Sequence, residues 1–223
     1  MKIILVFVIA NLVTGTAGAQ AAQKVNYCGE LKNHYGPFDY RMRGQVNLEI
    51  VENAHFTPEV EAGLKGSTGY LGGDLDYTLR AIPNHVRALA TLAKVGIRDK
   101  VVMVPSTKWP VECYFDRAIR FAPDDGAVQA TYGSYLSRVG RTNDALKAFK
   151  TAVRLQPEDP TINYNTGLMF LKVKDYDKAL LHAKKAYEKD FPLPGLKNKL
   201  VALGKWEEPV KAPAAEAAQA PVK

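Results

Sequence analysis

Four histidines (His34, His55, His85 and His182) and two cysteines (Cys28 and Cys113) are the side chains of this 223-residue sequence best suited to metal or nucleophilic chemistry. Their spacing decides against most of it. The histidines stand far apart, no two lie four residues from each other, and none belongs to an HExxH or a Cys/His cluster, so no metal site is expected. Neither cysteine sits in a CxxC pair, which removes a thioredoxin-like or haem-attachment role. The glycines from Gly66 to Gly73 look like a phosphate cradle, but no Lys-Ser/Thr follows them and no strand precedes them. There is no GxSxG nucleophile elbow, and no cofactor is expected. A catalytic or small-ligand site would have to be assembled in three dimensions, with His55, Asp74, Asp76 and Tyr77 as first candidates. The simpler reading of the two aspartates is acidic residues opening a helix. The chain is therefore expected not to be an enzyme.

What positions these residues begins with a segment to subtract. Lys2, an apolar run from Ile3 to Val13 broken by Asn11, and Ala17-Gly18-Ala19 have the form of a secretory leader over residues 1–19. The run is shorter than the roughly 20 residues of a membrane span; an uncleaved anchor is the alternative. The mature protein is expected to be periplasmic or secreted, without stable membrane insertion. Its charge falls from +7 to +6 with the loss of Lys2. Outside the cytoplasm such a basic balance suits acidic protein surfaces or anionic polymers, or a solvated surface with no function, and nucleic acid is not expected. In an oxidising compartment Cys28 and Cys113 read as a disulfide closing about 85 residues. Loop entropy makes that worth roughly 4 kcal/mol. Two free thiols are the alternative.

The second half repeats at an interval of 34: Pro123 to Pro157, Ala118 to Ala152 to Ala186, Gly133 to Gly167, and Ala145 to Ala179. A period of this length means stacked helical hairpins, none able to bury its apolar face alone. In the unit 126–159, small residues at Gly133, Ala145 and Ala152 admit close helix approach, while Tyr132, Leu136 and Phe149 fill the gaps. The unit that follows reuses the scheme through Pro192. Upstream, helices are expected over 74–82, 85–95 and 114–122, with Asn84 as a cap and a surplus over 97–110, where Pro105 and Pro110 exclude a continuous helix. The layout is thus a leader (1–19), an irregular extension (20–73), degenerate helices with an insertion (74–125), two full units (126–192), a capping helix (193–206) and an Ala/Pro-rich tail (207–223) expected to be disordered.

This pattern of small and large positions resembles the tetratricopeptide repeat, which implies an all-α superhelical array. The segments Gly36 to Arg41, His55 to Glu61 and Gly72 to Tyr77 are similar to those of exported bacterial tetratricopeptide proteins. The resemblance implies a scaffold that holds a protein partner of the bacterial cell envelope in a groove lined by the first helix of each unit. Carried over residue by residue, the groove comprises Ala127, Ala130, Thr131, Ser134, Ser137 and Arg138 in one unit and Thr161, Tyr164, Asn165, Leu168, Leu171 and Lys172 in the next, with Arg87, Ala90 and Lys94 from the inserted unit. The family's Lys/Asn carboxylate clamp is matched only at Asn165. The expected ligand is a segment with apolar anchors and acidic flanks.

Overall fold

In the computed structural model, which describes residues 27–206, the 34-residue period resolves into paired helices. The expected leader and the C-terminal tail lie outside the described residues. In chain order the helices are α1 (Glu49–His55), α2 (Pro58–Glu61), α3 (Leu71–Ala81), α4 (Val86–Asp99), α5 (Val111–Phe121), α6 (Gly126–Arg138), α7 (Thr142–Leu155), α8 (Pro160–Lys172), α9 (Tyr176–Tyr187) and α10 (Gly195–Ala202), preceded by a 3-10 turn at Tyr40–Met42. The described residues are all-α and form an array of helical hairpins; α6 pairs with α7, α8 with α9, and the first helices α4, α6 and α8 lie side by side.

Local chemistry sets these boundaries. Ala145, Ala148, Phe149 and Ala152 fall three and four residues apart and give α7 one apolar stripe. Asp125 accepts from the N–H groups of Ala127 and Val128, and Asp159 accepts from Ile162 ahead of Pro160, so two first helices begin on carboxylate caps. Gly140, with φ +85, makes the left-handed turn between α6 and α7. At the hairpin interface a Cβ on Gly133 would stand 3.0 Å from the Phe149 ring, so glycine is what lets that buried ring seat. Burying such a ring contributes on the order of 2–3 kcal/mol. Gly167 plays the matching part for α10, since its Cβ would meet Leu196 at 2.5 Å.

Two expectations are corrected upstream. Helix α4 runs on to Asp99, so the insertion is 100–110, and Asn84 does not cap it. His85 is the cap, its Nδ1 accepting from the N–H of Ala88 at 3.2 Å. Asn84 is instead a buried hub: its Oδ1 accepts from the N–H of Tyr40, and its Nδ2 donates to Asp39 and Asp125. The N-terminal extension is more ordered than its sequence suggested. Leu48, Val51, Ala81 and Ile82 form a satellite core against Tyr35, Phe38 and Tyr40.

The extension is fastened to α5 as well. Cys28 and Cys113 are joined, with Cα atoms 5.0 Å apart. Beside them Arg117, fully buried, donates from Nη1 to the carbonyls of Glu30 (2.6 Å) and Cys28 (3.2 Å) and lies 4.2 Å over the Trp109 ring. Arg120 donates to the carbonyl of Gly29 at 3.0 Å.

Candidate functional site

The first helices α6 and α8, closed off at one end by α10, enclose an open groove of about 460 Å³. Its floor is Phe149 and Met169; Leu168 and Leu171 give it an apolar wall; Ser134, Ser137 and Asn165 supply short polar groups. Arg138, Lys172 and Lys199 rim it, and no acidic side chain lines it. Lys172 spans the two units, donating from Nζ to the Ser137 carbonyl at 2.6 Å and to its Oγ at 3.0 Å. The side chains of Arg138 and Lys199 make no hydrogen bond or ion pair among the described residues. Uncompensated positive charge beside apolar surface favours an anionic, partly apolar ligand.

Of the expected groove residues, the structure brings together Ser134, Ser137, Arg138, Asn165, Leu168, Leu171 and Lys172, while Ala127, Ala130, Thr131, Thr161 and Ala90 do not line it. Tyr164 is a correction. Its ring is only 8% exposed and packs against Phe191, 4.5 Å between centroids, so it supports the C-terminal cap and is not presented as an anchor. Arg87 and Lys94 are elsewhere: they hold the extension, Arg87 pairing with the Glu61 carboxylate and Lys94 donating to the Ala62 carbonyl at 2.9 Å. Lys199 escaped the sequence reading because its helix looked only like a cover for the end of the stack.

The catalytic candidates separate into two clusters. His55 stacks on Tyr77 and places Nδ1 2.8 Å from the Asp74 carboxylate, which also accepts from Thr68 Oγ1 and from the N–H groups of Ser67 and Thr68. Burial works to raise the Asp74 pKa, but these hydrogen bonds outweigh it and hold it below the usual carboxylate range. Asp76, about 200° further round the helix, faces the other way. It accepts from Arg80 Nε at 2.8 Å, from the N–H of Lys108 at 3.2 Å and from the Tyr114 hydroxyl, so it pins the insertion. The four residues do not converge on one reacting point.

A third histidine is buried for a structural reason with a measurable consequence. Because His85 Nδ1 accepts from Ala88, its Nε2 carries the proton and donates to Glu52 Oε1 at 3.1 Å. Burial, reinforced by Arg87 and Arg43, pushes its pKa down to about 3. A histidine free to charge at 6.5 when unfolded and held neutral when folded stabilises the fold above pH 6.5, and that contribution drains away as pH falls toward 3. We expect the unfolding free energy to drop by about 3 kcal/mol between pH 7 and pH 4. Urea titrations should show this slope in the wild type and a flatter one in His85→Asn, which keeps a capping side chain. Equal slopes would contradict the assignment.

Residues 133–192 match the tetratricopeptide repeat family model. The chain also resembles solved structures of MamA: one of MamA MSR-1 at 18% identity, covering 66% of this chain and 79% of that one with a TM-score of 0.40, and one of MamA AMB-1 at 19% identity, covering 67% and 76% with a TM-score of 0.41. A search of curated proteins finds no match. Tetratricopeptide repeats are in general scaffolds for protein contacts and not catalytic units, and among the described residues no helix is long and apolar enough to cross a membrane.

Proposed function

We propose that this tetratricopeptide-repeat chain is an exported adaptor that holds an acidic segment of another protein of the bacterial cell envelope in the groove between α6, α8 and α10. The observation that carries the reading is the groove's composition. Seven residues expected to line it converge there, three cations rim it, and no carboxylate lines it. Leu168 and Leu171 offer a seat for apolar side chains of the same segment. Such a surface selects by charge and anchors by burial.

Export is supported by the leader-like residues 1–19 and by the paired state of both cysteines, a chemistry that persists in oxidising compartments. The test is affinity purification of the tagged chain from an osmotic-shock fraction. The mature chain should begin at Gln20 and bring down a defined protein, and Arg138→Glu with Lys199→Glu should cut that recovery at least about tenfold, the scale of losing one or two charge-assisted contacts. Recovery in the cytosolic fraction would refute export, and undiminished recovery by the double variant would refute the groove.

A further inference from the structure

Charge is spread unevenly along the described residues. Residues 27–171 carry 17 basic and 16 acidic side chains. Residues 172–206, from the last residue of α8 through α9 and α10, carry nine lysines against four acidic residues. Nearly all the net positive charge therefore sits at the C-terminal end of the array.

The same end departs from what a terminal cap requires, which is a polar outer face. Helix α10 seals the stack with Leu196 and Leu200, both fully buried. Yet Leu193 is 54% exposed, Val201 53% and Leu203 49%. None of these three lines the groove between α6 and α8, so a segment seated there leaves them in water.

Local geometry holds these aliphatic side chains among lysines. The Tyr187 hydroxyl donates to the Leu193 carbonyl at 2.9 Å and accepts from the N–H of Lys197 at 3.0 Å, which fixes Leu193 at the start of α10. Val201 stands four residues after Lys197 and Leu203 four after Lys199, so each lies one turn from a cation. Past Gly204, at φ +63, the N–H of Lys205 bonds the Leu200 carbonyl at 2.8 Å and keeps that lysine at the helix end.

What covers this face has to accept projecting aliphatic groups and positive charge together. An acidic polymer satisfies the lysines alone. A second copy meeting it face to face would set one lysine cluster against another, and like charges repel. A bilayer with anionic headgroups meets both demands: its surface attracts the lysines and its acyl boundary buries the aliphatics.

We propose that the outer face of α10 rests on a membrane surface bearing anionic phospholipids. Leu193, Val201 and Leu203 enter at the acyl boundary, Lys197 and Lys205 meet the headgroup phosphates, and Lys199 is left to the groove. The contact is peripheral, since among the described residues no helix is long and apolar enough to cross a membrane. It goes beyond the groove reading, and sets the mouth of the groove beside the lipid.

The test is co-sedimentation of the full chain with vesicles of equimolar phosphatidylglycerol and phosphatidylcholine. Saturable binding is expected, at least tenfold weaker on phosphatidylcholine alone. Leu193→Ser/Val201→Ser/Leu203→Ser, which leaves every charge in place, should weaken it at least tenfold, and so should Lys197→Glu/Lys205→Glu. A polarity-sensitive fluorophore on Val201→Cys should shift to the blue on the mixed vesicles, a readout that needs neither variant. The expected leader is common to all the proteins compared, so lipid binding through it would leave them equal. Equal binding to both vesicle types, unchanged binding by the serine variant, or no blue shift overturns the inference. Retention on immobilised polyglutamate that matches retention on vesicles, and that the serine changes do not affect, would assign the lysines to a soluble acidic partner and overturn it too. Neither variant alters Arg138 or the apolar wall at Leu168, so partner capture in the groove stands or falls separately.

Discussion

Removing the Cys28–Cys113 bridge should lower the unfolding free energy by roughly 3–4 kcal/mol, the largest single effect we expect from any local change. The bridge closes 85 residues of chain, and in the unfolded state that closure removes many conformations. It acts where the extension has few alternatives: Cys113 is 3% exposed, inside α5, and the segment it holds has no regular structure of its own. For a chain of this length the loss corresponds to roughly 10 °C in Tm. Thermal unfolding of Cys28→Ala/Cys113→Ala beside the oxidised wild type measures it. Alanine is preferred to serine at position 113, where a hydroxyl would be buried without a designed partner. A change under about 2 °C would show that residues 28–30 are fastened by other means.

Those other means centre on Arg117, and Arg117→Ala should cost about 3 kcal/mol. The guanidinium is fully buried, stacks on Trp109 and satisfies two carbonyls of the extension. Truncation opens a cavity and strands both carbonyls, and each loss alone is worth on the order of 1–3 kcal/mol. Burial, with Arg120 nearby, lowers the Arg117 pKa, so this cation is held at a cost and its Nε has no protein partner. Arg117→Met separates packing from hydrogen bonding: it should recover part of the stability, because the stem still fills the space beside Trp109. Urea denaturation of the three proteins decides this. The cysteine and arginine changes should also be non-additive, since both act on residues 28–30. Strict additivity would mean that they fasten different parts of the extension.

The parts of the fold that were legible in sequence are those governed by a repeated local rule. Gly133 and Gly167, and Ala145 and Ala179, recur because close helix packing admits only small residues there, so the period exposes the hairpins directly. The groove positions came from the resemblance: Ser134 and Leu168, and Arg138 and Lys172, stand 34 residues apart and line one surface. The errors fall where the repeat meets something that does not repeat. Tyr164 occupies the position of Ala130, but among the described residues no further full unit follows α8 and α9, and Phe191 packs against the ring. Arg87 and Lys94 have groove positions, yet the extension folds back and takes them. Nothing in the local pattern around residues 58–63 says that this segment returns to α4. His85 takes the capping role expected of Asn84 because Asn84 is drawn into a buried contact with Asp39 and Asp125, far along the chain.

The groove itself is tested most directly by placing a photoreactive side chain at Leu168, on its apolar wall, and another at Lys150, an exposed residue on α7, then irradiating cells that express the protein. Residue 168 should yield a discrete crosslinked protein that residue 150 does not, and Arg138→Glu should erase it. Matching products at both positions, or none at 168, would contradict a partner seated between α6 and α8.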